Sequence, residues 1–182
     1  MAANGDSAYT QGIELEADGY ITEALHFNVS YTYTEAEIDS DFIHPQNGSV
    51  IAEDGADLPL TPENVFSAAL DYTWGVGQDA DIIARLSGYY QDESENYIDT
   101  DSTFSQTFDD FWLVDASITY VTQSWKLGLF AKNIGDEDGI TGAFPQDYWS
   151  YDTGVFENWY GNGNRQMISQ PRTLGASLSY LF

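Results

Sequence analysis

The sequence predicts an all-β fold, an antiparallel meander of about seven strands that forms part of a transmembrane β-barrel. Apolar and polar residues alternate with a period of two along much of the chain, and no long stretch has apolar residues at helical spacing. Aromatic residues make up 15% of the chain, a share that fits the aromatic girdles of a barrel. Short and long connections alternate between the strands, which is typical of barrels with turns at one rim and loops at the other.

The first two predicted strands cover about residues 8–19 and 24–38. In the first, Ile13, Leu15 and Ala17 alternate with acidic residues. In the second, one face carries His, Asn, Ser and Thr, and the other carries the apolar residues Leu25, Phe27, Val29, Tyr31 and Tyr33. A strand with one apolar and one polar face suits a wall that separates lipid from water.

The next four strands repeat this alternation. They cover about residues 65–74, 81–93, 111–122 and 124–133. Their apolar faces are led by Phe66, Ile82, Trp112 and Trp125. The polar faces carry the basic residues Arg85, Lys126 and Lys132, among carboxylates such as that of Asp115. This pattern predicts charge pairing on the water-filled side of the wall.

The seventh strand covers the last twelve residues, 171–182. One face carries small polar residues and Gly, and the other carries Leu174, Ala176, Leu178, Tyr180 and Phe182. In a meander, the odd-numbered strands all run from the long-loop rim to the short-turn rim. The seventh strand therefore ends at the short-turn rim, where Tyr180 and Phe182 suit the headgroup region.

Composition limits the possible functions. The formal net charge of -25 disfavours nucleic acid as a partner. The absence of cysteine excludes disulfides, thiolate zinc sites and a cysteine nucleophile. His26 and His44 are isolated from each other, and no motif ties a serine to either of them. We therefore expect no catalytic residue, no metal site and no cofactor, and we expect that the protein is not an enzyme.

One loop is rich in aromatic and amide side chains, which suit stacking on a sugar or on an aromatic chelate. Its candidate ligand-binding residues are Tyr148, Trp149, Tyr151, Trp159, Tyr160 and Arg165. The alternative is that this loop packs on its own aromatic residues. Loose calcium binding by the acidic loops also stays open, although Phe104 stands where a calcium loop around Asp99, Asp101 and Asp110 would need glycine.

Four stretches, in this order, resemble the C-terminal part of the barrel of TonB-dependent outer-membrane receptors. They are QGIELE at 11–16, LPLTPEN at 58–64, LGLFAKNIGD at 127–136 and PRTLGASLSYLF at 171–182. One departure is Gly135, which stands where the family usually has an aromatic residue. The resemblance covers most of the chain but includes neither a plug domain nor a TonB-contacting segment. We therefore expect residues 1–182 to be a single partial barrel domain, a fragment of a receptor.

The resemblance implies a place in the bacterial outer membrane and energised uptake of a scarce nutrient, such as a siderophore, cobalamin or a glycan. Extracellular loops would recognise this small ligand, and outer-membrane lipid would surround the wall. The barrel-assembly machinery would read Leu178, Tyr180 and Phe182, while TonB would act only through the missing plug domain. The N-terminus resembles no signal peptide, which agrees with a fragment.

Two alternatives stay open at this stage. An eighth strand from about residues 144–167 would give a small closed barrel, since single-chain barrels usually have an even number of strands. A soluble, acidic, all-β binding module, with carbohydrate as one candidate ligand, would instead bury the faces led by Leu25 and Leu174.

Overall fold

The computed structural model describes residues 7–101, 105–145, 147–150, 155–158 and 164–182. These ranges contain no helix that is long and apolar enough to cross a membrane. Their strands, in chain order, are β1 (Ala8–Tyr20), β2 (Leu25–Ile38), β3 (Phe42–Ile43), β4 (Val50–Ala52), β5 (Asn64–Val76), β6 (Ala80–Gln91), β7 (Ser94–Glu95), β8 (Thr107–Phe108), β9 (Phe111–Thr122), β10 (Trp125–Lys132), β11 (Ile140–Pro145), β12 (Asp147–Ser150), β13 (Val155–Asn158), β14 (Asn164–Ile168) and β15 (Thr173–Tyr180).

The seven long strands form one antiparallel sheet in the order β1-β2-β5-β6-β9-β10-β15. Each pairs with the next long strand along the chain, so the sheet is a meander and the predicted fold class is confirmed. The alternative with an eighth strand is wrong for the described residues. Segments β11 and β14 pair with each other, as do β12 and β13, outside the main sheet.

The pairing register places the apolar residues of all seven strands on the same face. Leu70 of β5, for example, lies opposite Phe27 of β2 and Leu86 of β6, and Leu86 lies opposite Ala116 of β9. This face is open, since Leu86 is 52% exposed and Leu174 is 74% exposed. A soluble module would bury these residues, so the exposure does not fit that alternative.

The connections differ in length at the two ends of the sheet. Residues 21–24, 77–79 and 123–124 form short turns at one end. Residues 39–63, 92–110 and 133–172 form the long connections at the other end, and they contain the hairpins β3–β4, β7–β8, β11–β14 and β12–β13. The long-loop end also holds buried apolar side chains, including those of Phe108 and Phe111.

Asn133 fixes the base of the longest connection. It is buried, it has a positive φ of 47°, and its backbone N–H donates to Asp115 Oδ1 at 2.8 Å. Its side-chain amide donates to the carbonyls of Glu137 and Gln170 at 2.9 and 2.8 Å, and its Oδ1 accepts from the Glu137 N–H at 2.9 Å. These bonds hold the end of β10 against the segment that leads into β15.

Candidate functional site

The outward face of the sheet is an apolar band with aromatic rings near both ends. Toward the long loops, the ring of Trp112 lies 4.6 Å from that of Tyr90 and 6.4 Å from that of Phe66, between centroids. At the short-turn end, the ring of Tyr180 lies 4.5 Å from that of Trp125 and 5.7 Å from that of Phe182. Two rows of aromatic residues around an apolar band are typical of a wall that crosses a membrane.

The outward positions become polar immediately beyond the band, on the long-loop side. We call these residues the polar row, and they are Gln11, Glu35, Asn64 and Asp92. The amide of Asn64 donates to Asp92 Oδ2 at 2.7 Å and accepts from the Tyr31 hydroxyl at 2.7 Å. These hydrogen bonds connect members of the polar row, which makes the long-loop side of the apolar band hydrophilic.

Carboxylates extend this hydrophilic zone past the band at the β1–β2 edge. The Tyr9 hydroxyl donates to Glu35 at 2.9 Å and to Glu37 at 3.1 Å, and the Gln11 amide donates to Glu35 at 2.9 Å. Hydrogen bonds from Gln11 and Tyr9 lower the pKa of the Glu35 carboxyl. The carboxylates of Glu35 and Glu37 raise the pKa of the Tyr9 hydroxyl. At neutral pH this zone therefore carries negative charge.

The inward face carries a chain of ionisable side chains across four neighbouring strands. His26 Nε2 lies 3.2 Å from Asp18 Oδ2, and His26 Nδ1 lies 3.8 Å from Asp71 Oδ2. Arg85 donates to the same Asp71 oxygen at 2.7 Å. Arg85 thus has a carboxylate partner, Asp71, in agreement with the predicted charge pairing on this face.

A shallow depression of about 350 Å³ lies on the inward face beside this chain. Its lining combines small residues with the charged side chains of Arg85, Asp115 and Lys132 and the ring of Phe130. Among the described residues, Lys132 and Lys126 form no ion pair within 4 Å. Its lining therefore offers both polar and apolar contacts to a group that lies against the inward face.

The predicted ligand-binding residues belong to the longest connection. Tyr148 and Trp149 lie on β12, opposite Glu157 and Phe156 of β13 in the backbone pairing. Arg165 lies on β14, opposite Phe144 of β11, and its side chain is exposed. The remaining predicted residues, Tyr151, Trp159 and Tyr160, lie outside the described residues. The connection thus contains two hairpins, β11–β14 and β12–β13, outside the main sheet.

Calcium binding by the acidic loops gains no support. Within the described parts of the chain, which include Asp99, Asp101 and Asp110, no group of three or more His, Cys, Asp or Glu side chains could hold a metal ion.

The sequence reasoning missed the polar row and the role of Asn133. The sequence does contain a signal for the polar row. The outward positions change from apolar Ile13 to polar Gln11 on β1, and from Tyr33 to Glu35 on β2. No comparable signal exists for Asn133, because its partner Gln170 lies 37 residues away.

Comparisons of the sequence and of the structure with known proteins both find receptor β-barrels. The family model described as TonB-dependent receptor-like β-barrel matches residues 2–134. Three solved structures share the fold. The ferric-catecholate import receptor Fiu of E. coli K12 is 24% identical with a TM-score of 0.64, and the ferric yersiniabactin uptake receptor FyuA of Yersinia pestis is 15% identical with a TM-score of 0.65. The ferric preacinetobactin receptor BauA of Acinetobacter baumannii is 15% identical with a TM-score of 0.66.

These structural matches cover 95–96% of this chain but only 21–23% of the receptors. The chain therefore spans about a fifth of their length. At these identities the likeness is evidence for the fold.

Proposed function

This chain belongs to the TonB-dependent receptor-like β-barrel family, and on that premise we propose that its sheet is part of the wall of a receptor for a scarce nutrient. Barrels of this family are bacterial outer-membrane receptors and not enzymes, which confirms the predicted location and the prediction that the chain is not an enzyme. The ligand and the partners of the whole receptor are part of the proposal.

The observation that carries the proposal is the division of the sheet into an apolar outward face and a polar inward face. The outward residues from Trp112 to Tyr120 span about 26 Å along β9, at about 3.3 Å per residue. That length is close to the roughly 25 Å band of outer-membrane barrels, before allowance for strand tilt. In the proposal, outer-membrane lipid contacts the band and the polar row lies at the outer membrane surface.

The proposed ligand is a small ferric chelate of the siderophore type. Support comes from the three similar structures, each of which is described as a receptor for a ferric chelate. Cobalamin and glycans are the other ligand classes that the family resemblance suggests. The proposed contacts are the residues of the longest connection, Tyr148, Trp149, Tyr151, Trp159, Tyr160 and Arg165, since indole and phenol rings can stack on an aromatic chelate.

Substitution of two tryptophans tests this proposal. We expect Trp149→Ala and Trp159→Ala in the full-length receptor to weaken binding of ferric chelates, measured by equilibrium titration with tris-catecholate and phenolate chelates. The amount of folded receptor in the membrane should not change. Tyr97→Ala removes an aromatic residue from a different long connection and is the control. Unchanged affinity in both tryptophan variants would contradict the assignment of the site.

Two further partners belong to the proposal. Leu178, Tyr180 and Phe182 are exposed at the outward edge of the last strand, a position in which the barrel-assembly machinery could read them as a C-terminal signal. TonB would contact the receptor through a plug domain and not through this sheet.

A further inference from the structure

The turn between β3 and β4 contains an asparagine that is followed by a glycine, Asn47 and Gly48. Both residues are exposed and belong to no strand. Two backbone hydrogen bonds close the turn, since the His44 N–H donates to the Ser49 carbonyl at 2.7 Å and the Gly48 N–H donates to the His44 carbonyl at 3.0 Å. Asn47 and Gly48 therefore lie in an ordered, exposed turn outside the main sheet.

The side-chain carbonyl of Asn47 accepts two hydrogen bonds from one residue. Its Oδ1 accepts from Ser49 Oγ at 2.9 Å and from the Ser49 backbone N–H at 3.0 Å. The second bond closes a ring that contains the Gly48 nitrogen, so it folds the side-chain amide back toward that nitrogen. Two donors on one carbonyl oxygen also stabilise the negative charge that develops there when a nucleophile attacks the carbon.

Gly48 leaves the path between its own nitrogen and the Asn47 amide carbon unobstructed. Its φ is 70°, a conformation that favours glycine, and a Cβ at this position would meet no atom within 4 Å. No side chain at residue 48 therefore shields the nitrogen. Asn28 and Asn64, by contrast, lie in strands and precede β-branched valines.

We propose that Asn47 is a site of spontaneous deamidation that Ser49 promotes. The Gly48 nitrogen loses its proton and attacks Cγ of Asn47, which forms a C–N bond and closes a succinimide ring. The proton returns through water to the side-chain nitrogen, which leaves as ammonia when its bond to Cγ breaks. Water then opens the ring at either carbonyl and gives aspartate or isoaspartate. The hydrogen bond from Gly48 to the His44 carbonyl has to open first, so its opening contributes to the rate.

Deamidation changes both the charge and the backbone of this turn. Each conversion replaces a neutral amide with a carboxylate, and isoaspartate adds a methylene group to the backbone between β3 and β4. The turn belongs to the long connection 39–63, at the end of the sheet that the proposed function places outside the cell. The exposed surface of the receptor therefore becomes more negative with time.

Peptide mass spectrometry of the full-length receptor, incubated in detergent at mildly alkaline pH, tests the proposal. We expect Asn47 to convert with time into aspartate and isoaspartate, while Asn28 and Asn64 stay intact. The two other Asn-Gly sequences, at 4–5 and 162–163, lie outside the described residues, and separate peptides report on them. An intact Asn47, or conversion into aspartate without isoaspartate, would overturn the proposal.

A substitution of Ser49 separates the effect of the folded turn from that of the Asn-Gly sequence. We expect Ser49→Ala to slow deamidation of Asn47 several-fold in the folded receptor, because one donor to Oδ1 is lost. In a synthetic peptide of residues 43–51 the same substitution should change the rate less, since an unfolded chain does not hold the hydroxyl in place. Ser124→Ala, in a short turn at the other end of the sheet, is the control. Equal effects of Ser49→Ala in the receptor and in the peptide would overturn the role of Ser49.

Discussion

At the scale of single residues, Asn133 joins the end of β10 to β9 and to both ends of the longest connection. Its amide donates to two carbonyls and accepts one N–H while its backbone adopts a positive φ. Asn is among the few residues other than Gly that adopt this conformation readily. The residue therefore combines a backbone role with a side-chain role.

Truncation of Asn133 tests this description. We expect Asn133→Ala to destabilise the full-length receptor by about 2–4 kcal/mol, because three side-chain hydrogen bonds are lost and two carbonyls lose a donor. Asn133→Asp keeps the acceptor but sets a buried carboxylate against the same two carbonyl oxygens, so it should not restore stability. The measurement is denaturant unfolding in detergent, with Gln78→Ala in an exposed short turn as the control. Equal stability of the Asn133→Ala and Gln78→Ala variants would contradict this role.

Gly175 is required by its neighbour on the inward face. A Cβ atom at position 175 would overlap the ring of Phe130, which lies directly opposite across the β10–β15 pairing. We expect Gly175→Ala to destabilise the receptor and Phe130→Leu to reduce that effect in the double variant. Gly135→Ala, where a Cβ would meet no atom within 4 Å, should be nearly neutral in the same unfolding assay. A neutral Gly175→Ala variant would contradict the close packing.

At the scale of elements, the seven long strands could be predicted because each has one apolar face and one polar face over at least eight residues. This alternation with a period of two can be seen in the sequence without knowledge of any contact between strands. The strand β9 was predicted with the bounds that the structure has, Phe111–Thr122. The hairpins of the long connections were not predicted, because strands of two to six residues leave no periodic signal.

The side-chain partners across neighbouring strands could not be predicted from the sequence either. The charge pattern indicated that Arg85 has a carboxylate partner, but only the β5–β6 register places Asp71 directly opposite it. The candidate ligand-binding residues were chosen by composition alone. Composition can suggest the chemistry of a loop, but it does not fix which side chains converge.

Neighbouring positions on β6 separate the two faces of the sheet. Leu86 lies in the outward band and is 52% exposed, whereas Ser87 lies on the inward face. We expect Leu86→Arg to destabilise the receptor in a lipid bilayer by about 2–4 kcal/mol, the cost of a charge near the bilayer midplane. Ser87→Arg is the matched control and should be tolerated, because the inward face is polar. Unfolding in lipid vesicles measures both, and equal effects would contradict the assigned faces.

At the scale of the whole molecule, the sheet buries neither of its faces. Its largest fully buried side chain among the described residues is Phe108, which lies at the long-loop end and not between the strands. A soluble protein of this length would be expected to bury a larger share of its apolar side chains. The open outward face and the two free edges of the sheet, at β1 and β15 within the described residues, agree with membership of the TonB-dependent receptor-like barrel family.

The most direct test of this account is a scan along β6 of the full-length receptor in lipid bilayers. The described chain contains no cysteine, so spin labels can be attached to single cysteines at positions 82–90. Even positions should be accessible to oxygen dissolved in the lipid, and odd positions should be accessible to a water-soluble relaxation reagent. Equal access of the water-soluble reagent to even and odd positions would contradict a wall with lipid on one face and water on the other.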